Sequence, residues 1–258
     1  MHHPLENLDE TIERAADELK RASRVAVLTG AGVSAESGIP TFRASDGLWE
    51  NHPIEDVATP EGFARDPGLV WRFYNARRAN VAKVKPNPGH LALAKLEERL
   101  GDDFTLITQN VDGLHQVAGS IRVLELHGSL HRTRCTGCRR IEDRGLDVLP
   151  DLPECSKCGA MLRPDIVWFH EMLPEQIWQE AGQAAAQCDV LLVVGTSAVV
   201  HPAASLIPLA RNRFGSVDKP RAAVVIEVNL THTEASRFAD IGLYGPSGEI
   251  LPKVIACL

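Results

Sequence analysis

Four cysteines carry the strongest chemical signal in the sequence. Cys135-x2-Cys138 and Cys155-x2-Cys158, with 16 residues between the pairs, have the spacing of two knuckles that each supply two thiolates to one tetrahedral ion. Thr136-Gly137 and Ser156-Lys157 inside the pairs are turn residues in charged surroundings, which argues against four buried free thiols. One Zn2+ is expected, and with every position filled by protein it has no room for water, so its role is structural. Cys188 and Cys257 stand alone in apolar contexts and read as core packing.

A second signal is Gly30-Ala31-Gly32-Val33-Ser34-Ala35, which follows the apolar run Val25 to Leu28 and fits the G-x-G-x-x-G/A turn that opens a helix onto a diphosphate. Alone the motif is weak. A hydride-transferring enzyme would reach a second strand and an acidic residue about 20 positions on, whereas Ile39 to Trp49 reads as a loop. The phosphate cradle survives and the dehydrogenase loses ground. Gln109, Asn110, Val111 and Asp112 follow the strand expected at Phe104 to Ile107, and His127 follows the next apolar run, Ile121 to Leu126. Both groups therefore fall at strand carboxyl ends, where open α/β sheets bind ligands. Asn110 and Asp112 can pair with a ligand amide, donor to acceptor and acceptor to donor, although a capped turn explains them as well, and His127 alone reads as structural. Tyr74 and Arg77, at i and i+3, share one helix face; alone they read as a core-edge tyrosine and a solvated arginine.

The elements that must hold these residues follow from periodicity. Leu8, Ile12, Ala15 and Leu19 recur at helical spacing, and short apolar runs at 25–28, 104–107, 121–126, 190–194 and 222–228 alternate with helical patterns. The fold class is α/β: a Rossmann-like parallel sheet with helices on both faces, carrying an inserted small domain of a zinc ribbon and a helical segment within LVWRFYNARRANVAKV. The uncharged stretch VLLVVGTSAVVHPAASLIPLA (190–210) is long enough to span a bilayer, but its Gly, Ser and Pro residues divide it into a buried strand, a loop and a helix.

In this chain of 258 residues, 27 Lys and Arg against 34 Asp and Glu give a net charge of −7, which excludes a general polyanion binder of nucleic acid or acidic membrane. The start lacks the apolar core of a secretory signal and is too acidic for a transit peptide, so the mature chain is expected to begin there. Cysteine pairs suited to metal point to a reducing compartment, and the expected location is the cytoplasm.

Taken together, Gly30 to Arg43 (GAGVSAESGIPTFR), Thr108 to His115 (TQNVDGLH), Leu126-His127-Gly128, the four cysteines, Gly195-Thr196-Ser197 and Val225 to Asn229 (VIEVN) occur in the order found in sirtuins, the NAD-dependent protein deacylases, and the chain resembles that family over nearly its whole length. The resemblance implies an NAD-binding domain from 1–50, 86–128 and 171–258, and a small domain from 51–85 and 129–170. It implies that Gly30, Ala31, Gly32, Ser34, Ala35, Glu36, Ile39, Thr41, Phe42, Arg43 and Trp49 hold diphosphate and ribose. Gly195, Thr196, Ser197, Asn229, Leu230, Thr231 and Ser247 would serve the adenosine half, and Gln109, Asn110, Val111 and Asp112 the nicotinamide and ribose pocket. His127 and Asn110 would be catalytic, His127 as general base on a ribose hydroxyl, giving nicotinamide, free lysine and 2′-O-acyl-ADP-ribose. The partners implied are acyl-lysine proteins or peptides, with no specific nucleic acid and no membrane, and a monomer is favoured. The peptide would enter as an added strand between Val167, Phe169 and Glu171 on one side and Val199 on the other, with His170 standing where the family usually has glycine. Tyr74-x-x-Arg77 is similar to class III sirtuins, which remove succinyl and malonyl groups, and Ala58 matches a position where a small side chain enlarges the acyl pocket. A bacterial-type member acting on acetyl and succinyl lysine is the expectation. Two rivals stay open: a mono-ADP-ribosyltransferase using the same site, and a non-catalytic NAD or zinc interaction module, for which Arg132, Arg134, Arg139, Arg140 and Arg144 are the supporting feature.

Overall fold

The computed structural model describes residues 7–41, 48–49, 52–211 and 222–258. Six parallel strands form one sheet in the spatial order Ile241–Tyr244, Val224–Asn229, Val190–Val194, Val25–Thr29, Phe104–Thr108, Val123–Glu125. Chain order therefore runs outward from Val25–Thr29 to one edge and then restarts at Val190–Val194 towards the other. Such a reversal opens a crevice at the carboxyl ends of the two central strands.

The strands read as continuous apolar runs because both faces are covered. Val25 and Val27 pack into a cluster with Leu93, Leu96 and Ile250, while Ala26 and Leu28 face the opposite cluster with Ala181, Leu206 and Ile207. The stretch 190–210 divides as expected, into the strand Val190–Val194 and the helix Leu206–Arg211 across a loop. Among the described residues no helix is long and apolar enough to cross a membrane. Two readings are corrected. Ile121 is 87% exposed and the strand at that edge is only Val123–Glu125, since a sheet edge has solvent on one flank. Cys188 is buried, but Cys257 lies exposed just past the end of the last helix.

Between the helices Pro67–Val81 and Pro88–Leu100 the chain returns from the small unit to the sheet. Asp66 caps the first of these through the Leu69 N–H at 2.8 Å, and Pro67 sits where a missing N–H costs nothing. This helix is buried on several sides because it is wedged between two small cores. Val70, Phe73, Tyr74 and Val81 pack with Ala58, Val111, Leu130, Ile166 and Trp168, while Trp71 packs with Cys135, Cys155 and Leu162. The Trp71 indole donates to the Leu162 carbonyl at 2.9 Å, and the buried Arg78 donates to the carbonyls of Leu130 and Asp147. The helix is thereby tied to the antiparallel strands Gly128–Cys135, Ile141–Asp143 and Leu162–Ile166, whose connecting turns hold the cysteine pairs together with Cys135 at a strand end.

Candidate active site

A cavity of about 490 Å3 lies over the carboxyl ends of the central strands and extends between the sheet and the small unit. Its floor is where two strand ends meet. A Cβ on Gly30 would stand 2.7 Å from the Thr196 Cβ, and one on Gly32 2.7 Å from the Gly195 oxygen. Gly195 has a φ of 59°, and a Cβ there would run into the Val33 nitrogen. The glycines are needed first so that the two loops can touch. Most of the amides at the turn are also occupied: Gly30 N–H donates to Val194 at 3.1 Å and Gly32 N–H to Gly195 at 2.7 Å. The helix that follows is a single turn, Gly32–Ala35. The turn expected to face a diphosphate is thus also a close-packed floor.

Behind that floor the polar side chains hold one another. Asn87 N–H donates to His90 Nδ1 at 3.3 Å, so the His90 proton sits on Nε2 and faces Ser34 Oγ, also at 3.3 Å. Ser34 Oγ donates to Asp112 Oδ2 at 2.8 Å and accepts from Asn110 Nδ2 at 3.1 Å. Asn110 Nδ2 also donates to the Gly30 carbonyl at 3.1 Å, and Asp112 Oδ1 accepts from Leu114 N–H at 2.9 Å. Both Asn110 donors are spent inside the protein, leaving its Oδ1 and the remaining Asp112 lone pairs as acceptors. Reading the two as a donor and acceptor for a ligand amide is therefore corrected: they suit an NH2 group. Burial holds His90 and His115 below the ordinary imidazole range, His115 down to about 3. Ser34 and His90 line this second layer, not the cavity.

His127 presents a base. Its Nδ1 lies 3.0 Å from the Gln109 carbonyl, which can only accept, so Nδ1 carries the proton and Nε2 keeps its lone pair. Burial pushes its pKa down, against the opposing pull of the Gln109 carbonyl. The neutral ring on the cavity wall is thus the resting form.

Gly30, Ala31, Gly32, Ile39, Thr41, Trp49, Gln109, Asn110, Val111, Asp112 and His127 all reach the cavity, as do Gly195, Thr196, Ser197, Asn229, Leu230 and Thr231. Asn229 braces this end, donating to the Thr196 carbonyl at 2.8 Å. On the small-unit side the wall holds Ala58, Tyr74, Arg77, Val167, Phe169 and Glu171. Five expected residues are not on the wall. Ser34 and Ala35 lie beneath it, and Val199 is 55% exposed beside wall residues Ser197 and Val200. Glu36 and Ser247 are bonded to each other at 3.1 Å, where Glu36 also takes the Gly248 N–H at 2.9 Å and so caps the last helix. Phe42 and Arg43 lie outside the described residues. Wall residues that sequence reasoning passed over include Asn80, His201 and Thr233. Asn80 had a findable signal, since it lies three positions past Arg77 on the same helix face.

Residues 30–202 match the Sir2 family model. The chain belongs to the Sir2 family. The NAD-dependent protein deacylase 2 of Pyrobaculum aerophilum is 48% identical over 242 residues, covering 93% of each chain. The NAD-dependent protein deacylase of Salmonella typhimurium is 46% identical over 246 residues, 94% of this chain and 86% of that one. Among solved structures, a Sir2 homologue in complex with NAD superposes with a TM-score of 0.87 at 43% identity, covering 99% of this chain and 95% of the other. Sir2 bound to acetylated peptide gives 0.82 at 31% identity, covering 95% and 97%.

The Sir2 site fits both groups the family carries. The four cysteine sulfurs lie within 4.8 Å of one another, with Cys135 to Cys158 at 3.4 Å and Cys138 to Cys155 at 3.8 Å. Tetrahedral Zn–S bonds of about 2.3 Å set sulfur edges at about 3.8 Å, so the cage suits one structural zinc. The cavity's run from Asn229 across the glycine floor to Asp112 follows the dinucleotide crevice of a sheet with this strand order. Of the five arginines near the cysteines, Arg132 and Arg134 pair with Asp165 and Arg140 and Arg144 with Glu142, while Arg139 is exposed.

Proposed function

We propose that this chain is an NAD-dependent protein-lysine deacylase that removes succinyl, and malonyl with it, as well as acetyl, and that it works in the cytoplasm. The observation that carries the acyl assignment is the placing of Tyr74 and Arg77 side by side on the cavity wall. The Arg77 guanidinium lies over the Trp49 ring at 4.1 Å and is 9% exposed, which makes it a desolvated cation facing a ligand space rather than a solvated surface charge. A carboxylate at the far end of an acyl group would meet it through a charge-assisted hydrogen bond.

Bound NAD supplies the electrophilic ribose carbon and the nicotinamide leaving group. Asp112 and Asn110 Oδ1 orient the carboxamide NH2 as acceptors, on a base plate that Ser34 keeps from moving. His127 Nε2 takes the proton of a ribose hydroxyl. Ala58, Tyr74, Ile166 and Trp168 on the small-unit wall offer the acyl chain a largely apolar lining. Ala58 offers only a methyl group where a larger side chain would fill the pocket, and its carbonyl takes the Phe169 N–H at 3.0 Å, fixing the peptide-side segment beside it.

The test is mass-resolved turnover of matched acetyl-lysine and succinyl-lysine peptides with NAD, following nicotinamide and acyl-ADP-ribose. Loss of both acyl groups with matching acyl-ADP-ribose is expected. Loss of acetyl alone would keep the deacylase and discard the pocket assignment, while ADP-ribosylated peptide in place of acyl-ADP-ribose would make the chain a transferase to protein.

A further inference from the structure

The Tyr74 hydroxyl is buried, and the structure settles which way it faces. Trp168 Nε1–H donates to Tyr74 Oη at 2.9 Å, with Trp168 3% and Tyr74 0% exposed. An indole N–H is a donor only. The phenol oxygen is therefore the acceptor in this contact, and its own proton points away from Trp168. Among the described residues no acceptor takes that proton. Burial pushes the Tyr74 pKa up to about 12, so the proton stays on the oxygen at any working pH.

Trp168 cannot turn away to release this bond. Arg163 lies over its ring at 3.5 Å, and Glu171 holds Arg163 with two contacts of 2.6 and 2.8 Å. The same carboxylate accepts the Trp168 backbone N–H at 2.9 Å, and Phe63 packs against the indole at 5.2 Å. Glu171 is thus spent inside the protein, and its expected part in substrate binding passes through the indole it locks.

We propose that Trp168 is a specificity-determining positioning residue: by filling the acceptor side of the Tyr74 hydroxyl it commits the hydroxyl proton to the distal end of the bound acyl group. Tyr74 and Arg77 then both present donors, and the pocket selects acyl chains that end in an acceptor, a carboxylate first. The proposal rests on the acidic-acyl reading of the pocket and adds a residue outside the Tyr-x-x-Arg helix to it.

Trp168→Phe keeps a ring for Arg163 and Phe63 and deletes the N–H. The succinyl-to-acetyl ratio of kcat/KM is expected to fall about five-fold, the worth of one net hydrogen bond, and to fall through the KM of the succinyl peptide. In a Tyr74→Phe background the same change should move the ratio by less than about two-fold, because the shared contact is already gone. Equal losses on both peptides, or an undiminished loss in the Tyr74→Phe background, would overturn the proposal. If Trp168→Phe does not fold, the indole N–H resonance of Trp168 in Tyr74→Phe decides: a shift towards a non-bonded position supports the contact, and an unmoved resonance overturns it. Arg77→Met separates the two levels. A ratio that ignores Arg77→Met overturns the acidic-acyl reading and the proposal with it, whereas a ratio that responds to Arg77→Met and not to Trp168→Phe overturns the proposal alone.

Discussion

The two walls of the cavity are built on opposite plans. On the sheet wall the polar groups satisfy one another: Ser34, Asn110, Asp112 and His90 form a closed set, and the ligand meets only the acceptors left over. On the small-unit wall Tyr74 and Arg77 are held by rings and by one indole N–H, with donors facing the cavity. Side chains that brace one another need no reorganisation when reaction begins, which suits the wall where bonds change. The Tyr74 hydroxyl proton, kept desolvated and uncommitted, discriminates between ligands, because a ligand without an acceptor leaves it unmet. Chemistry and acyl choice should therefore separate by mutation.

The largest effect that follows is on the sheet wall. His127→Ala should lower kcat on acetyl and succinyl peptides alike by about a thousand-fold, the usual worth of a positioned general base, with Tm little changed. Loss on one acyl group only would merge the two walls into one functional unit. On the opposite wall, Arg77→Met should reduce desuccinylation by about ten- to a hundred-fold through a lost charge-assisted hydrogen bond, with deacetylation far less affected. Equal losses in matched kcat/KM measurements would end the separation.

The plans differ in how far they could be read from sequence. The strand runs, the glycine loop and the cysteine pairs were legible because each is a local pattern: burial on both faces, a close backbone approach, a metal's bite. What was not legible joins distant positions. Ser34 meets His90 across 56 positions and Asp112 across 78, and Trp168 meets Tyr74 across 94. Glu36 and Ser247, both placed at the cofactor by the family resemblance, are 211 positions apart and hydrogen-bonded to each other. A motif names residues that gather near a site, while the tertiary contact decides which of them turn towards it.

The sheet wall also responds to acid. His90, His115 and His127 on or behind the sheet wall are all held below the ordinary imidazole value of 6.5 by burial. The unfolded chain therefore binds protons that the folded chain refuses, so stability falls as pH drops below about 6.5 and keeps falling towards the low folded value of His115. Melting curves between pH 7.5 and 5 should show Tm declining steadily; a flat profile would mean that these imidazoles are wetter than the structure places them.

The smallest effect tests the rim of the small-unit wall. His170 holds a φ of 70°, a region that costs a residue with a Cβ roughly 1–2 kcal/mol. Its side chain is 72% exposed and only 3.9 Å from an equally exposed Glu61, a pair worth little in water. Nothing in that exposed contact offsets the backbone cost. His170→Gly should relieve it, less the roughly 0.4–1 kcal/mol that glycine's freedom adds to the unfolded chain. The net gain is a fraction of a kcal/mol, so Tm should rise by about a degree or two. Because His170 reaches the cavity wall, the same variant should alter the KM of the peptide more than its acyl ratio, which Trp168 and the Tyr74 face govern. A fall in Tm would show that the imidazole makes a contact at the rim strong enough to repay the strain, and would move His170 from a tolerated substitution to a built part of the peptide edge.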